Sequence, residues 1–221
     1  DLYSDVPQDV IYREEYDLPD AMSELEVRQY FEGLAEFNTS LFCLCGLGAY
    51  DHYSPAVIPH IISRSEFLTA YTPYQPEVSQ GTLRYIFEYQ SMITELTGMH
   101  CTNASMYDGA PAAAEAMMMA MASTKKKTRV LLSEGLLPQV VNVVKTYAKF
   151  NGVELGFIPC VDGTTSYGAM LTEVAKGDVA GVLVPGINKY GIIEDFTGFA
   201  DAVHAQKGLF MVYSDPSSLA V

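Results

Sequence analysis

Basic side chains, clustered metal ligands, paired cysteines and long apolar runs are all scarce in this chain, and each scarcity removes a class of function. The 13 Lys and Arg residues stand against 27 Asp and Glu, for a formal charge of −14. No basic field is available to release counterions from phosphate, which argues against nucleic acid or an anionic membrane as the main partner. The cysteines Cys43, Cys45, Cys101 and Cys160 form no CxxC pair, and the histidines His52, His60, His100 and His204 are dispersed. Neither a zinc site, nor a disulfide framework, nor an HExxH metalloprotease is indicated. No apolar run approaches the ~20 residues of a membrane span. The opening "DLYSDVPQDV" lacks both the basic and the apolar parts of a signal peptide. The expectation is a cytoplasmic protein with no membrane partner.

What is present suffices for a substantial core. Hydrophobic residues make up 49% of 221, enough for one large α/β domain or a domain with a helical appendage. Near the start, "MSELEVRQYFEGLAEF" places Leu25, Val27, Tyr30, Phe31 and Leu34 at helical spacing behind Ser23 as N-cap. Gly46 and Gly48 follow in a GxG that lacks the rest of a dinucleotide fingerprint. From Thr82, Leu83, Ile86, Phe87, Ile93 and Leu96 mark a helix ending at Gly98, and "APAAAEAMMMAMAS" reads as a helix buried nearly all round. Strand candidates "TRVLLS", "VELGFIP", "VAGVLVP" and "LFMVYS" then alternate with helical stretches in "PQVVNVVKTYAKF", "MLTEVAKG" and "DFTGFADAVHAQKG". Short continuous apolar strands separated by helices predict a mostly parallel sheet with both faces covered. The expected organisation is an N-terminal helical segment with its connecting loop over 1–66 and a large α/β domain over 67–221.

In such a sheet, chemistry collects at the carboxyl ends of strands and the helix N-termini beside them. The turn "YDGAPAAAEA" places Asp108 and Gly109 just before a helix, where free N–H groups could hold a phosphate. Pro111 removes one donor and the alanines offer no hydroxyl, so Asp108 serves equally well as a plain N-cap. Asp215 ends the last strand in "LFMVYSDPSS", where it could pair with a protonated ring nitrogen or cap the turn at Pro216. The basic run "KKKTR" follows a helix whose C-terminal dipole accounts for it, and the methionines 117–119 and 121 read as core or subunit contact. A rigid polar loop, "YTPYQP", carries Tyr71, Thr72, Tyr74 and Gln75 between prolines.

That loop and its continuation, "YTPYQPEVSQGTLRYIFEYQSMITELTGM", followed by "NASMYDGAPAAAEA", resemble the glycine cleavage system P-protein, the pyridoxal-phosphate-dependent glycine decarboxylase. The likeness runs through "DLYSDVP", "MSELEVRQYFEGLA", "GLGAYDHYSPAVIPHI", "NKYGIIEDF" and "YSDP" in order. It is nearest to the first, α, subunit of the two-chain bacterial form.

The resemblance implies a fold-type-I pyridoxal phosphate transferase large domain. It further implies that the second, β, subunit carries the cofactor and its Schiff-base lysine, so none is expected on this chain. On that view, Asp108, Gly109 and Asp215 are vestigial cofactor positions. Tyr71, Thr72, Tyr74 and Gln75 would reach toward the partner's cofactor or glycine, or pack the subunit interface. The assembled complex would decarboxylate glycine and pass the aminomethyl group to the lipoyl arm of the H-protein. The 221 residues are expected to be a fragment without the family's small C-terminal domain, and that fragment is not expected to act unaided. It departs from the family where a His-Pro pair is common, having Leu137-Pro138, and at "PGIN", where Pro185 opens the motif and only Asn188 is kept.

Overall fold

The runs "RVLLS" and "VAGVLVP" become the central strands of a four-stranded parallel sheet in the computed structural model, which describes residues 2–42, 44, 52–68, 71–124 and 126–220. In chain order, the helices are α1 (Glu24–Ala35), α2 (Val57–Ile62), α3 (Ser65–Leu68), α4 (Gln80–Thr97), α5 (Gly109–Ser123), α6 (Pro138–Asn151), α7 (Tyr167–Val174) and α8 (Phe199–Ala205). The strands are β1 (Arg129–Ser133), β2 (Glu154–Ile158), β3 (Cys160–Val161), β4 (Thr164–Thr165), β5 (Val179–Pro185) and β6 (Leu209–Tyr213). The chain divides into two compact units, residues 1–45 and 46–221.

In the first unit, α1 begins as its sequence predicts. Ser23 Oγ accepts from the Glu26 amide at 3.3 Å while Glu26 Oε2 accepts from the Ser23 amide at 2.7 Å, satisfying two orphan donors reciprocally. The predicted GxG at Gly46 and Gly48 lies outside the described residues.

In the second unit, the sheet order is β2-β1-β5-β6 with every neighbour parallel. The chain leaves β1 outward to β2 through α6, then passes back beyond β1 to β5 through the β3–β4 hairpin and α7. The direction of winding therefore reverses between β1 and β5, where open α/β sheets form a crevice. Successive residues of β1 serve opposite faces: Val130 and Leu132 join Met117, Val140 and Val144 beneath α5 and α6, while Leu131 joins Ile158, Met170 and Phe199 beneath α7 and α8. Between Arg129 and Val130 the β5 partner jumps from Val179 to Gly181, a bulge that bends the central pair. Arg129 anchors the start of β1 by donating to both Asp178 carboxylate oxygens at 3.1 Å and to Glu173 at 2.6 Å.

Three expectations are modified. Only β1 and β5 are buried throughout; β2 and β6 are edge strands among the described residues, and Phe157 and Val212 are exposed. Helix α5 is buried along Ala113, Ala114, Met117 and Ala120 but exposes Glu115, Met119 and Ala122, because one of its sides has no neighbour among the described residues. Lys127, within the basic run, does not serve the end of α5. Its ammonium donates to the Val179 carbonyl at 2.8 Å and to the Gln206 carbonyl at the C-terminus of α8. Helix α4 closes at Gly98, in the left-handed region with φ +69, as predicted. None of its side chains is fully buried, and Leu83, Phe87, Met92 and Leu96 are exposed.

Candidate functional site

The carboxyl ends of β1, β5 and β6 are Ser133, Pro185 and Tyr213. The N-terminus of α5 stands beside the last of them. Asp108 is the N-cap there, its Oδ1 accepting from the Ala110 amide at 3.0 Å. Pro111 has no N–H, and the Ala112 amide bonds the Asp108 carbonyl at 3.3 Å. Among the described residues, Gly109 alone in this first turn keeps a backbone donor without an acceptor, and the phenol of Tyr213 stands over it. A β-carbon added to Gly109 would lie 2.6 Å from the Tyr213 hydroxyl and 2.9 Å from its ring edge. Burial, and then the carboxylates of Asp108 and Asp215, push the Tyr213 phenol upward, so it is a neutral hydroxyl at ordinary pH. Tyr213 itself, with Ser214, Gly109, Ala112, Ala116 and Met211, lines an adjoining cavity of about 180 Å³.

A phosphate does not fit this turn. It would meet a single free N–H, a capping carboxylate of its own sign and an aromatic ring already in place. No lysine lines the cavity to form a Schiff base with an aldehyde cofactor. Asp215 is exposed, and its Oδ1 accepts from the Ser217 hydroxyl at 2.6 Å and the Ser217 amide at 2.9 Å. The Ser217 hydroxyl, then its amide, and beyond them the charge of His52 hold this carboxyl below its usual range. Leu137 caps α6 with no side-chain hydrogen bond and rests against the apolar cluster, offering neither a ring to stack nor a polar atom.

At the reversal point, the structure assembles a polar network that sequence inspection did not find. Ser133 and Thr165 hydroxyls meet at 2.6 Å, and the Gly135 amide donates to Ser133 Oγ at 2.9 Å. The Glu194 carboxylate, buried, accepts from the Thr165 amide at 2.6 Å and from Asn188 Nδ2 at 2.8 Å. Asn188 is fully engaged: Nδ2 also donates to the Gly163 carbonyl at 2.7 Å, and Oδ1 accepts from the Tyr190 and Ile192 amides at 2.9 and 3.1 Å. The network ties the loop after β5 to the β3–β4 hairpin and the end of β1. Its chemistry is positional, because the Asn188 amide has no group left for a ligand. Burial, then the Glu194 charge, push the adjacent Cys160 thiol up, which keeps it protonated and unreactive.

Tyr71, Thr72, Tyr74 and Gln75 belong neither to the lining of the cavity nor to the hydrogen bonds of the network given above. Tyr71 and Tyr74 are 82% and 76% exposed, with ring centroids 6.3 Å apart. The backbone is tightly turned, the Tyr74 amide donating to the Thr72 carbonyl at 2.8 Å and the Ser79 amide to that of Gln75 at 2.9 Å. Among the described residues, no three His, Cys, Asp or Glu side chains converge as a metal site requires. No helix is long and apolar enough to cross a membrane among those residues.

Comparison with known proteins places this geometry in context. The family model described as "Glycine cleavage system P-protein" matches residues 1–221. Proteins named "Probable glycine dehydrogenase (decarboxylating) subunit 1" from Anoxybacillus flavithermus and Moorella thermoacetica are each 47% identical to the chain. The matches cover 100% of this chain, and 50% and 49% of those proteins. A solved structure described as a crystal structure of glycine decarboxylase (P-protein) of the glycine cleavage system, in inhibitor-bound form, superposes with a TM-score of 0.89 at 38% identity. It covers 100% of this chain and 49% of that one. The chain spans about half the length of the relatives it matches.

Proposed function

Because the chain belongs to the glycine cleavage system P-protein family and has its pyridoxal-phosphate-transferase-like α/β fold, we propose that it acts as the first subunit of glycine decarboxylase, without a cofactor of its own. Pyridoxal phosphate belongs, on this reading, to the second, β, subunit, and the two form a cytoplasmic heterodimer. The complex decarboxylates glycine and transfers the aminomethyl group to the lipoyl arm of the H-protein. This chain contributes interface and active-site surround, with residues 67–221 as part of its large domain and 1–66 as the segment leading into it. The observation that carries the assignment is the α5 turn, whose single free donor, carboxylate cap and overlying Tyr213 ring leave no seat for the cofactor's phosphate.

The loop supplies the second half of the proposal. Tyr71, Thr72, Tyr74 and Gln75 present hydroxyls and an amide toward the partner's active site. Two exposed phenols on a backbone restricted by Pro73 and Pro76 lose little conformational freedom when a partner covers them. Tyr71→Phe and Tyr74→Phe keep ring packing and remove only the hydroxyl. In the assembled complex, each should lower glycine turnover while leaving assembly intact; unchanged turnover with unchanged assembly would reject the active-site role. Titrating the intact first subunit alone with pyridoxal phosphate tests the cofactor assignment. A visible band abolished by borohydride would refute it.

A further inference from the structure

We propose that Tyr213 is a built-in stopper: its phenol occupies the mouth of α5 where a cofactor phosphate would sit, and Gly109 is glycine to admit that ring rather than to bind an anion. This rests on the reading that the chain carries no cofactor, and it identifies what closes the cup.

Three features of the backbone and packing lead to it. Gly109 is not among the glycines with positive φ, so no left-handed conformation demands glycine at this position. Its missing β-carbon is explained by the ring, since that atom would fall 2.6, 2.9 and 3.1 Å from Tyr213 Oη, Cε2 and Cζ. The backbone that carries the ring is fixed. Tyr213 ends β6 in register with Pro185, and its carbonyl accepts from the Gly186 amide at 2.8 Å.

Charge and donor supply agree with that placement. The Asp108 carboxylate takes the Ala110 N–H, which an incoming phosphate would otherwise use, and Pro111 contributes none. A neutral hydroxyl tolerates the neighbouring Asp108 and Asp215 carboxylates, whereas a dianion would be repelled by both. On the helix side, the cavity beside the ring is lined by Ala112, Ala113 and Ala116, none of which offers a side-chain hydrogen-bond donor. The same Gly that in sequence resembles a phosphate turn is thus a packing requirement of the strand that faces it.

A double-mutant cycle in the intact protein tests this, using Gly109→Ala, Tyr213→Ala and the pair, read by thermal unfolding. Alanine is intrinsically the better helix residue, so without the ring it should be neutral or favourable. With Tyr213 present, Gly109→Ala should lower Tm by on the order of 5 °C, and in the Tyr213→Ala background that loss should vanish or reverse. Equal losses in both backgrounds would overturn the stopper. Should Tyr213→Ala not fold, Tyr213→Val serves in its place, since it retains a strand residue while removing the ring. Pyridoxal phosphate binding by the intact first subunit, by contrast, would sink the cofactor reading while the coupling still reports on the ring, so the two failures are separable.

Discussion

Asn188→Ala should be among the most damaging single changes in the large unit, although Asn188 touches no candidate ligand. Its side chain is 4% exposed and makes four hydrogen bonds. The bond to the Glu194 carboxylate, at 2.8 Å, is charge-assisted and worth about 1.5–3 kcal/mol; the other three engage backbone groups that water can partly recover, at about 0.5–1 kcal/mol each. Truncation leaves Glu194 buried with the Thr165 amide as its remaining donor among the described residues, so a total loss of about 3–6 kcal/mol follows. For a chain of this size, that is a fall in Tm of about 10 °C. Thermal unfolding by circular dichroism reads the shift. Hydrogen exchange at the Thr165, Tyr190 and Ile192 amides should show lost protection in the same variant. Asn188→Asp adds a sharper control: it keeps the acceptor but faces Glu194 with a second carboxylate. It should be destabilised at neutral pH and recover on acidification as one carboxyl takes up a proton. A melting point for Asn188→Ala within about 2 °C of wild type would refute the positional role assigned to the network.

Two further outcomes follow from the packing and from Asp215. Leu131, fully buried at the centre of β1 where Gly156 leaves room for its Cδ2, should on replacement by Ala cost about 3 kcal/mol, lowering Tm by about 6–12 °C, measurable by the same melt. The Asp215 carboxyl is held down first by the Ser217 hydroxyl and then by the Ser217 amide, so the folded form binds fewer protons than the unfolded chain in the carboxylate range. Its contribution is present above the unfolded carboxyl's range and fades as pH falls through the folded one. Ser217→Ala should flatten that part of a Tm-against-pH curve, while an unaltered curve would show that the turn at Pro216 does not depend on this pair.

Much of the fold was legible because its signals are local. β1 and β5 were visible as unbroken apolar runs, since a strand covered on both faces has no polar alternation to conceal it. Ser23, Asp108, Gly98 and Gly152 mark helix ends by bonds and backbone angles within a few residues of themselves. The β3–β4 hairpin escaped notice because two-residue strands carry no period, although Asp162-Gly163, with φ of +51 and +81, is the dipeptide that such turns favour. The polar network was illegible for a different reason. Ser133, Thr165 and Glu194 are brought together only by the winding of the sheet, and nothing near Glu194 in "NKYGIIEDF" distinguishes a buried carboxylate from a surface one. The Tyr71–Gln75 loop lies between: its rigidity is written in its prolines, but the target proposed for it would lie on another chain.

The small residues of "GAPAAAEA" remain to be explained if no phosphate keeps them small. Close approach of α5 to the sheet supplies the reason. A β-carbon on Gly181, opposite this helix, would fall 2.9 Å from the Ala120 Cβ and 2.7 Å from Met211 Cε, so helix and strand already touch where both have shed side-chain atoms. Ala113, Ala114 and Ala120 are each nearly or completely buried along that seam, with Met117 as its one long side chain. The bulge between Val179 and Gly181 sits at the same level, bending β5 beneath the helix. Small side chains at Ala113, Ala114 and Ala120 are therefore what the packing of α5 on the sheet requires, and Tyr213 requires the missing one at Gly109. A phosphate-binding ancestor and a phosphate-free descendant would share that sequence. The Asp108 carboxylate and Pro111 are not required by that packing, and on the proposed reading they are what sets this turn apart from one that holds a phosphate.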